Sequence, residues 1–174
     1  MDYVTHLPKE DPSISTTSKY NLKYYDPVKY YDFHIYYFHR IPESLQESDK
    51  LREKLIADFP EDSKNGSILI KKLPNDTIIG PHPTQFWEAD VQRPEIFVKV
   101  LSWFQLNHGN LSVLIHPQTG NDLKDHFDYA LWLGDKLPLI NVFPPSDGSI
   151  PEFGVKGGKR IKTEDYDDFK TVLE

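Results

Sequence analysis

The sequence predicts an α+β fold built as a split βαβ unit (βαββαβ), with an antiparallel four-stranded sheet, two helices on one face and a short third helix. Three observations predict it. Short aromatic and β-branched runs alternate with period two, two longer stretches repeat apolar residues at helical period, and strands and helices follow one another in the order strand, helix, strand, strand, helix, strand.

The first strand is Tyr30–Phe38 (YYDFHIYYF), dense in aromatics and free of Gly and Pro. Alternation puts Asp32, His34, Tyr36 and Phe38 on one face and Tyr31, Phe33, Ile35 and Tyr37 on the other. Ser44 and Glu47 form a capping-box pattern that opens a helix, along which Leu45, Leu51, Leu55, Ile56 and Phe59 make one stripe until Pro60 stops it. Ser67–Leu73 (SILIKKL) reads as the second strand, Pro74-Asn75-Asp76 as a turn and Thr84–Val91 (TQFWEADV) as the third strand. Pro94 suits the first turn of a second long helix, which runs to His108 before Gly109. Its Ile96, Phe97, Val100, Leu101, Trp103, Phe104 and Leu106 cover about half the circumference, more than one sheet face needs, and a homodimer, the tails or the third helix would bury the remainder.

Leu111–His116 (LSVLIH) is the fourth strand, ended by Pro117. Asn121 can cap a third, shorter helix with Leu123, Phe127, Ala130 and Leu131 at i, i+4, i+7 and i+8 and Gly134 as its terminator. The order is that of ferredoxin-like folds, in which two helices cover one sheet face and the other is left for a ligand, for the third helix or for a second subunit. Residues 1–27 read as an irregular N-terminal arm, 28–143 as the single domain and 144–174 as a C-terminal extension of loop composition with a short acidic-capped helix from Thr163.

Composition narrows the chemistry. The 174 residues hold no cysteine, which removes disulfides, thiolate nucleophiles and cysteine-held metals, so any metal rests on His, Asp and Glu. A net charge of -7 disfavours nucleic acid, since the only basic cluster, Lys156–Lys162, reads as a solvated loop. Neither a signal peptide nor a long apolar stretch is present, which predicts no membrane association and a cytoplasmic protein. Ten Tyr and ten Phe suit an aromatic core first and a pocket for a flat substrate second.

Parity locates the candidate site. His34, His82, His116 and Glu88 all fall on the face opposite the helices, provided extension begins at His82, and the sheet order makes their strands neighbours. A lone strand histidine is commonly a hydrogen-bonded core residue; several on one face suit Fe(II), Mn(II) or Zn(II). His126, on the third helix, could reach the same face as a proton carrier or stay on the helix surface. No phosphate-binding loop or nucleophile elbow is present.

The strings Asp32-Phe33-His34-Ile35-Tyr36-Tyr37-Phe38, Ile79-Gly80-Pro81-His82-Pro83, Leu111-Ser112-Val113-Leu114-Ile115-His116-Pro117-Gln118-Thr119-Gly120 and Asp125-His126 with Trp132-Leu133-Gly134 resemble the DOPA 4,5-dioxygenase family over about Tyr30–Leu139. The resemblance implies a ferredoxin-like, dimeric oxidoreductase that uses dioxygen to cleave a catechol such as L-DOPA in the extradiol manner. It implies a divalent metal, Fe(II) or else Zn(II) or Mn(II), held by His34, His82 and His116, with His126 as the acid/base. Tyr36 and Trp132 would pack on the ring and Lys124 would pair with an amino-acid carboxylate, or remain a helix-surface lysine. Some relatives carry histidine where Asp32 stands, so Asp32 is a ligand, a ligand's partner or a departure from the pattern. The rival class is a non-catalytic or zinc-binding protein of the same fold.

Overall fold

The protein's structure, a computed structural model, describes residues 22–73 and 78–142 in full and 153–156 and 159–162 as backbone. The alternating aromatic run forms β1 (Tyr31–Tyr37). It is followed by α1 (Pro42–Asp58), a one-turn α2 (Pro60–Lys64), β2 (Ile68–Lys72), β3 (Gln85–Val91), α3 (Pro94–Asn107) and β4 (Val113–Pro117). A six-residue α4 (Asp122–Phe127) and β5 (Leu131–Leu133) come next, and a separate hairpin joins β6 (Phe153–Lys156) to β7 (Lys159–Lys162).

The main sheet has the order β2-β3-β1-β4-β5, and every neighbouring pair is antiparallel. Its first four strands have the predicted split βαβ order. The fifth corrects the four-stranded expectation. Ala130 and Leu131 extend the helical spacing from Leu123, but the helix ends at Phe127 and Leu131–Leu133 pairs with β4 instead. Gly134, expected to end that helix, takes φ +69 after β5, where an added Cβ would lie 3.1 Å from the Leu111 carbonyl oxygen.

Other boundaries moved for local reasons. The first helix starts at Pro42, whose fixed φ and missing N–H suit a first helical position, so Ser44 lies inside it. Ser44 Oγ accepts from the Phe38 amide at 3.0 Å and Glu47 Oε1 from the Asn110 amide at 2.8 Å, which overturns the capping-box reading. Pro60 does end α1 but also opens α2. Of the basic cluster read as loop, Lys156 ends β6 and Lys159, Arg160 and Lys162 lie in β7, which pairs with it. The turn at 74–76, residues 1–21 and the helix expected from Thr163 lie outside the described residues.

Parity is obeyed throughout the sheet. Phe33, Ile35 and Tyr37 of β1, Trp87, Ala89 and Val91 of β3 and Val113 and Ile115 of β4 meet Leu51 and Leu55 of α1 and Val100 and Phe104 of α3 in the main core. Phe104 stacks on Phe33 at 5.0 Å between centroids. The surplus apolar surface of α3 is covered in part by Tyr24, from the segment before β1, and by Tyr31, the first residue of β1, which pack on Phe97 at 5.9 and 4.5 Å. Val98 and Leu106 remain exposed.

The opposite face is not open. Tyr36, Phe86 and Leu114 form a second cluster there with Ile79, Trp132, Leu137 and Leu139. The Ile140 amide donates to the Pro81 carbonyl at 2.8 Å, tying the segment after β5 to the loop before β3. The face left by the sequence for a ligand, the third helix or a second subunit is thus roofed in part by the protein's own chain. No helix among the described residues is long and apolar enough to cross a membrane.

Candidate active site

Under that roof lie four histidines, each less than a tenth exposed: His34 of β1, His82 of the loop before β3, His116 of β4 and His126 of α4. Backbone geometry sends each there. His34 and His116 lie on the face away from the main core, and Asp32, two residues before His34, sits opposite His116 in the β1–β4 register. Gly80, at φ +55, makes the turn that brings His82 back over the sheet, and a Cβ on it would stand 3.6 Å from the His82 ring. The Asn121 side chain accepts from the Lys124 amide at 3.1 Å, while Asp125 accepts from the Thr119 amide and hydroxyl at 2.9 and 2.6 Å. These bonds fix α4 against the end of β4 and aim His126 inward.

The rings crowd together. His116 and His126 centroids are 4.0 Å apart, His34 and His82 4.5 Å, and His82 and His126 5.4 Å. His34 Nε2 and His116 Nε2 approach to 2.9 Å. Metal–nitrogen bonds of about 2.0–2.1 Å at right angles would separate two ligand nitrogens by about 3 Å, so this spacing suits adjacent positions on one ion.

The Nδ1 atoms face outward to fixed oxygens. His116 Nδ1 is 2.9 Å from the Pro117 carbonyl oxygen, and His126 Nδ1 is 2.9 Å from that of Asp122. His34 Nδ1 is 3.5 Å from Glu88 Oε2 and has no hydrogen-bond partner among the described residues. Such outer partners hold a ligand imidazole in the tautomer that offers Nε2. Tyr36 donates to, or accepts from, His82 Nδ1 at 2.7 Å and stacks on Trp132 at 5.8 Å.

Among the described residues two groups of three bring donor atoms within 4.8 Å of one another: His34 with His82 and His126, and His34 with Asp32 and His116. His34 is common to both. His82 and His116, expected to act together, fall in different groups. Lys124 stands apart: its side chain is exposed and lines a groove of about 700 Å³ with Tyr25, Tyr31 and Tyr129, whose walls include none of the four histidines.

Beside the histidines lies a charged patch that parity could have revealed, because Asp90 and Glu88 share a face of β3. Lys71 Nζ bonds Asp90 Oδ2 at 2.6 Å and Glu88 Oε1 at 2.9 Å, and Asp90 sits opposite Asp32 in the β1–β3 register. Gln118 donates to Asp32. Burial, reinforced by Glu88, pushes the Asp32 carboxyl up to about 6 against the Gln118 hydrogen bond, while burial, Asp32 and Glu88 push Asp90 up to about 8. Burial works against the Lys71 charge, but Asp90 and Glu88 hold it above its ordinary range.

Burial holds the histidines in the form that binds a cation. His34 is lowered by burial and then by His82, His116 and His126; His116 is lowered by burial despite its Pro117 bond. Burial and His116 bring His126 from 6.5 to about 4. Its neutral form is therefore present in folded and unfolded chains above pH 6.5, and the unfolded chain alone takes up this proton as pH falls towards 4. Relative to His126→Gln, the metal-free protein is expected to lose roughly 3 kcal/mol of unfolding free energy over that interval, at 1.36 kcal/mol per unit. Urea denaturation of both proteins measures it, and parallel stability curves would contradict the shift.

Fold and cluster together define an α+β protein with a buried polyhistidine site suited to a divalent cation. The Dopa 4,5-dioxygenase family profile matches residues 31–142, which contain all four histidines, and the chain belongs to that family. It is 31% identical over 125 residues to the DOPA 4,5-dioxygenase of Amanita muscaria, covering 71% of this chain and 54% of that one. It is 30% identical over 141 residues to an "Uncharacterized 21.2 kDa protein" of Botryotinia fuckeliana, covering 74% and 73%. A crystal structure of a "putative dioxygenase" from Nostoc punctiforme, 32% identical, superposes with a TM-score of 0.54 over 64% of this chain and 87% of that one. These similarities support a dioxygenase-like role.

Proposed function

We propose that the protein is a metal-dependent extradiol dioxygenase that opens the ring of a catechol such as L-DOPA. The observation that carries this reading is the convergence of four buried imidazoles, with an orphaned Nδ1 on His34 and carboxylates alongside, in a chain of this family. Neutral nitrogen donors fit Fe(II), with Zn(II) or Mn(II) as alternatives. His34, His82 and His116 would hold the ion, which would bring catechol and dioxygen together with their association entropy already lost.

The chain's own residues do the rest. His126 is neutral at pH 7, so its Nε2 can accept a catechol proton and return it as the ring opens to a semialdehyde acid that keeps both oxygen atoms. The Asp122 carbonyl, bonded to Nδ1, keeps that nitrogen from being the base and stabilises the imidazolium that forms. Tyr36 and Trp132 offer a flat aromatic wall for the substrate ring, and Tyr36 orients His82. The roof of Ile79, Leu137 and Leu139 excludes water. Lys124, in its separate groove, is given no part.

Anaerobically Fe(II)-loaded protein is expected to consume oxygen with L-DOPA or a related catechol and to form a coloured ring-opened product. No uptake with any of a panel of catechols, at full iron loading, would reject the enzyme reading.

A homodimer forms part of the proposal, carried by the exposed Val98 and Leu106 on α3. Light scattering at micromolar concentration should give twice the chain mass, and Leu106→Glu should shift it to monomer. A monomeric wild type would end this part.

A further inference from the structure

We propose that Asp32 is a direct ligand of the ion, an anionic donor that joins His34 and His116. The inference rests on reading the imidazole cluster as an ion site. It goes further by placing a carboxylate in the coordination shell.

Position is the first argument. Asp32 and His116 are cross-strand partners, and Asp32 and His34 are two residues apart on one strand, so all three side chains rise from one patch of the sheet. Asp32 Oδ2 lies 3.9 Å from His116 Nε2, and donor atoms of the three residues lie within 4.8 Å of one another. Two imidazoles and one carboxylate on a single face form a recurrent donor set for a divalent metal.

The second argument is polar satisfaction. Asp32 is 5% exposed and its Oδ1 has no hydrogen-bond partner among the described residues, although Gln118 donates to Oδ2. A buried carboxylate oxygen without a donor is costly, and a coordinated cation satisfies it. The third is charge. Among the described residues Asp32, Glu88 and Asp90 are three carboxyl groups gathered beside one ammonium, Lys71, and with all three ionised two negative charges would stand uncompensated. A divalent ion balances them. A proton shared between Asp32 and Asp90, whose Oδ1 is also unpartnered, is the competing account.

Charge alone and ligation separate when Asp32 and Asp90 are neutralised in turn. Co(II), whose visible bands report its ligands, is titrated into metal-free wild type, Asp32→Asn and Asp90→Asn. Asp32→Asn should weaken binding by more than about 100-fold, beyond what an outer partner of a ligand gives, and should move the remaining bands. Asp90→Asn, the same replacement at the neighbouring carboxyl, should keep the wild-type bands and bind within about 10-fold of wild type. Should Asp32→Asn not fold, Asp32→Ser carries the same expectation. Equal behaviour of the Asp32 and Asp90 variants, or unmoved bands in Asp32→Asn, would overturn the assignment while leaving the histidine site intact. A wild type that binds no Co(II) would instead remove the underlying reading of an ion site.

Discussion

Replacing His126 with alanine should lower catechol-dependent oxygen uptake by roughly 10² to 10⁴, the usual contribution of a positioned acid/base, while iron content stays near wild type. His34→Ala and His116→Ala should lose both. The difference follows from geometry. His34 and His116 present Nε2 atoms to each other at 2.9 Å, so removing either takes away a donor, whereas the proposed task of His126 is to hold a proton. His126 nonetheless groups within donor distance of His34 and His82, which makes the experiment decisive. Metal analysis beside oxygen uptake separates the outcomes: loss of iron in His126→Ala equal to that in His116→Ala would make His126 a ligand, and full activity would leave it a packing residue of α4.

The second large effect belongs to the core. Phe104 is fully buried, stacks on Phe33, meets Trp103 edge-on at 5.1 Å and lies 6.3 Å from Trp87. Phe104→Ala should cost about 3–5 kcal/mol of unfolding free energy, because both the transfer of the ring and the cavity it leaves weigh against folding. Denaturant titration with an unchanged m-value would confirm it. A loss below about 1 kcal/mol would mean that α3 collapses onto the sheet and refills the gap.

The sheet, His34 and His116 were legible because alternation is a property of each strand by itself, whereas β3 begins only at Gln85, so His82 reaches the face from a loop and not by strand parity. In β1 the set Phe33, Ile35 and Tyr37 can face only one way, which sends His34 and Tyr36 the other, and the same logic holds for Trp87 against Glu88 and for Ile115 against His116. What the pattern missed depends on partners distant in sequence or on segments too short to have a period. Leu131 fits both a helical stripe and a three-residue strand, and only pairing with Ile115 decides between them. The roof depends on Ile140 reaching Pro81, a contact with no local signature. The capping-box pattern at Ser44 and Glu47 was genuine as a pattern, but Pro42 nucleates the turn earlier and frees both side chains for tertiary bonds.

One strand serves two masters. Within β1, Phe33, Ile35 and Tyr37 are structural while Asp32, His34 and Tyr36 face the site, so a single inserted or deleted residue would exchange the two sets wholesale. The helix and strand that follow β4, α4 and β5, carry His126 and Trp132 yet contribute only Leu133 to the main core. Diversification of substrate preference, whether by natural drift or in a laboratory library, should therefore accumulate in α4, β5 and the roof, and leave β1 as an inherited block.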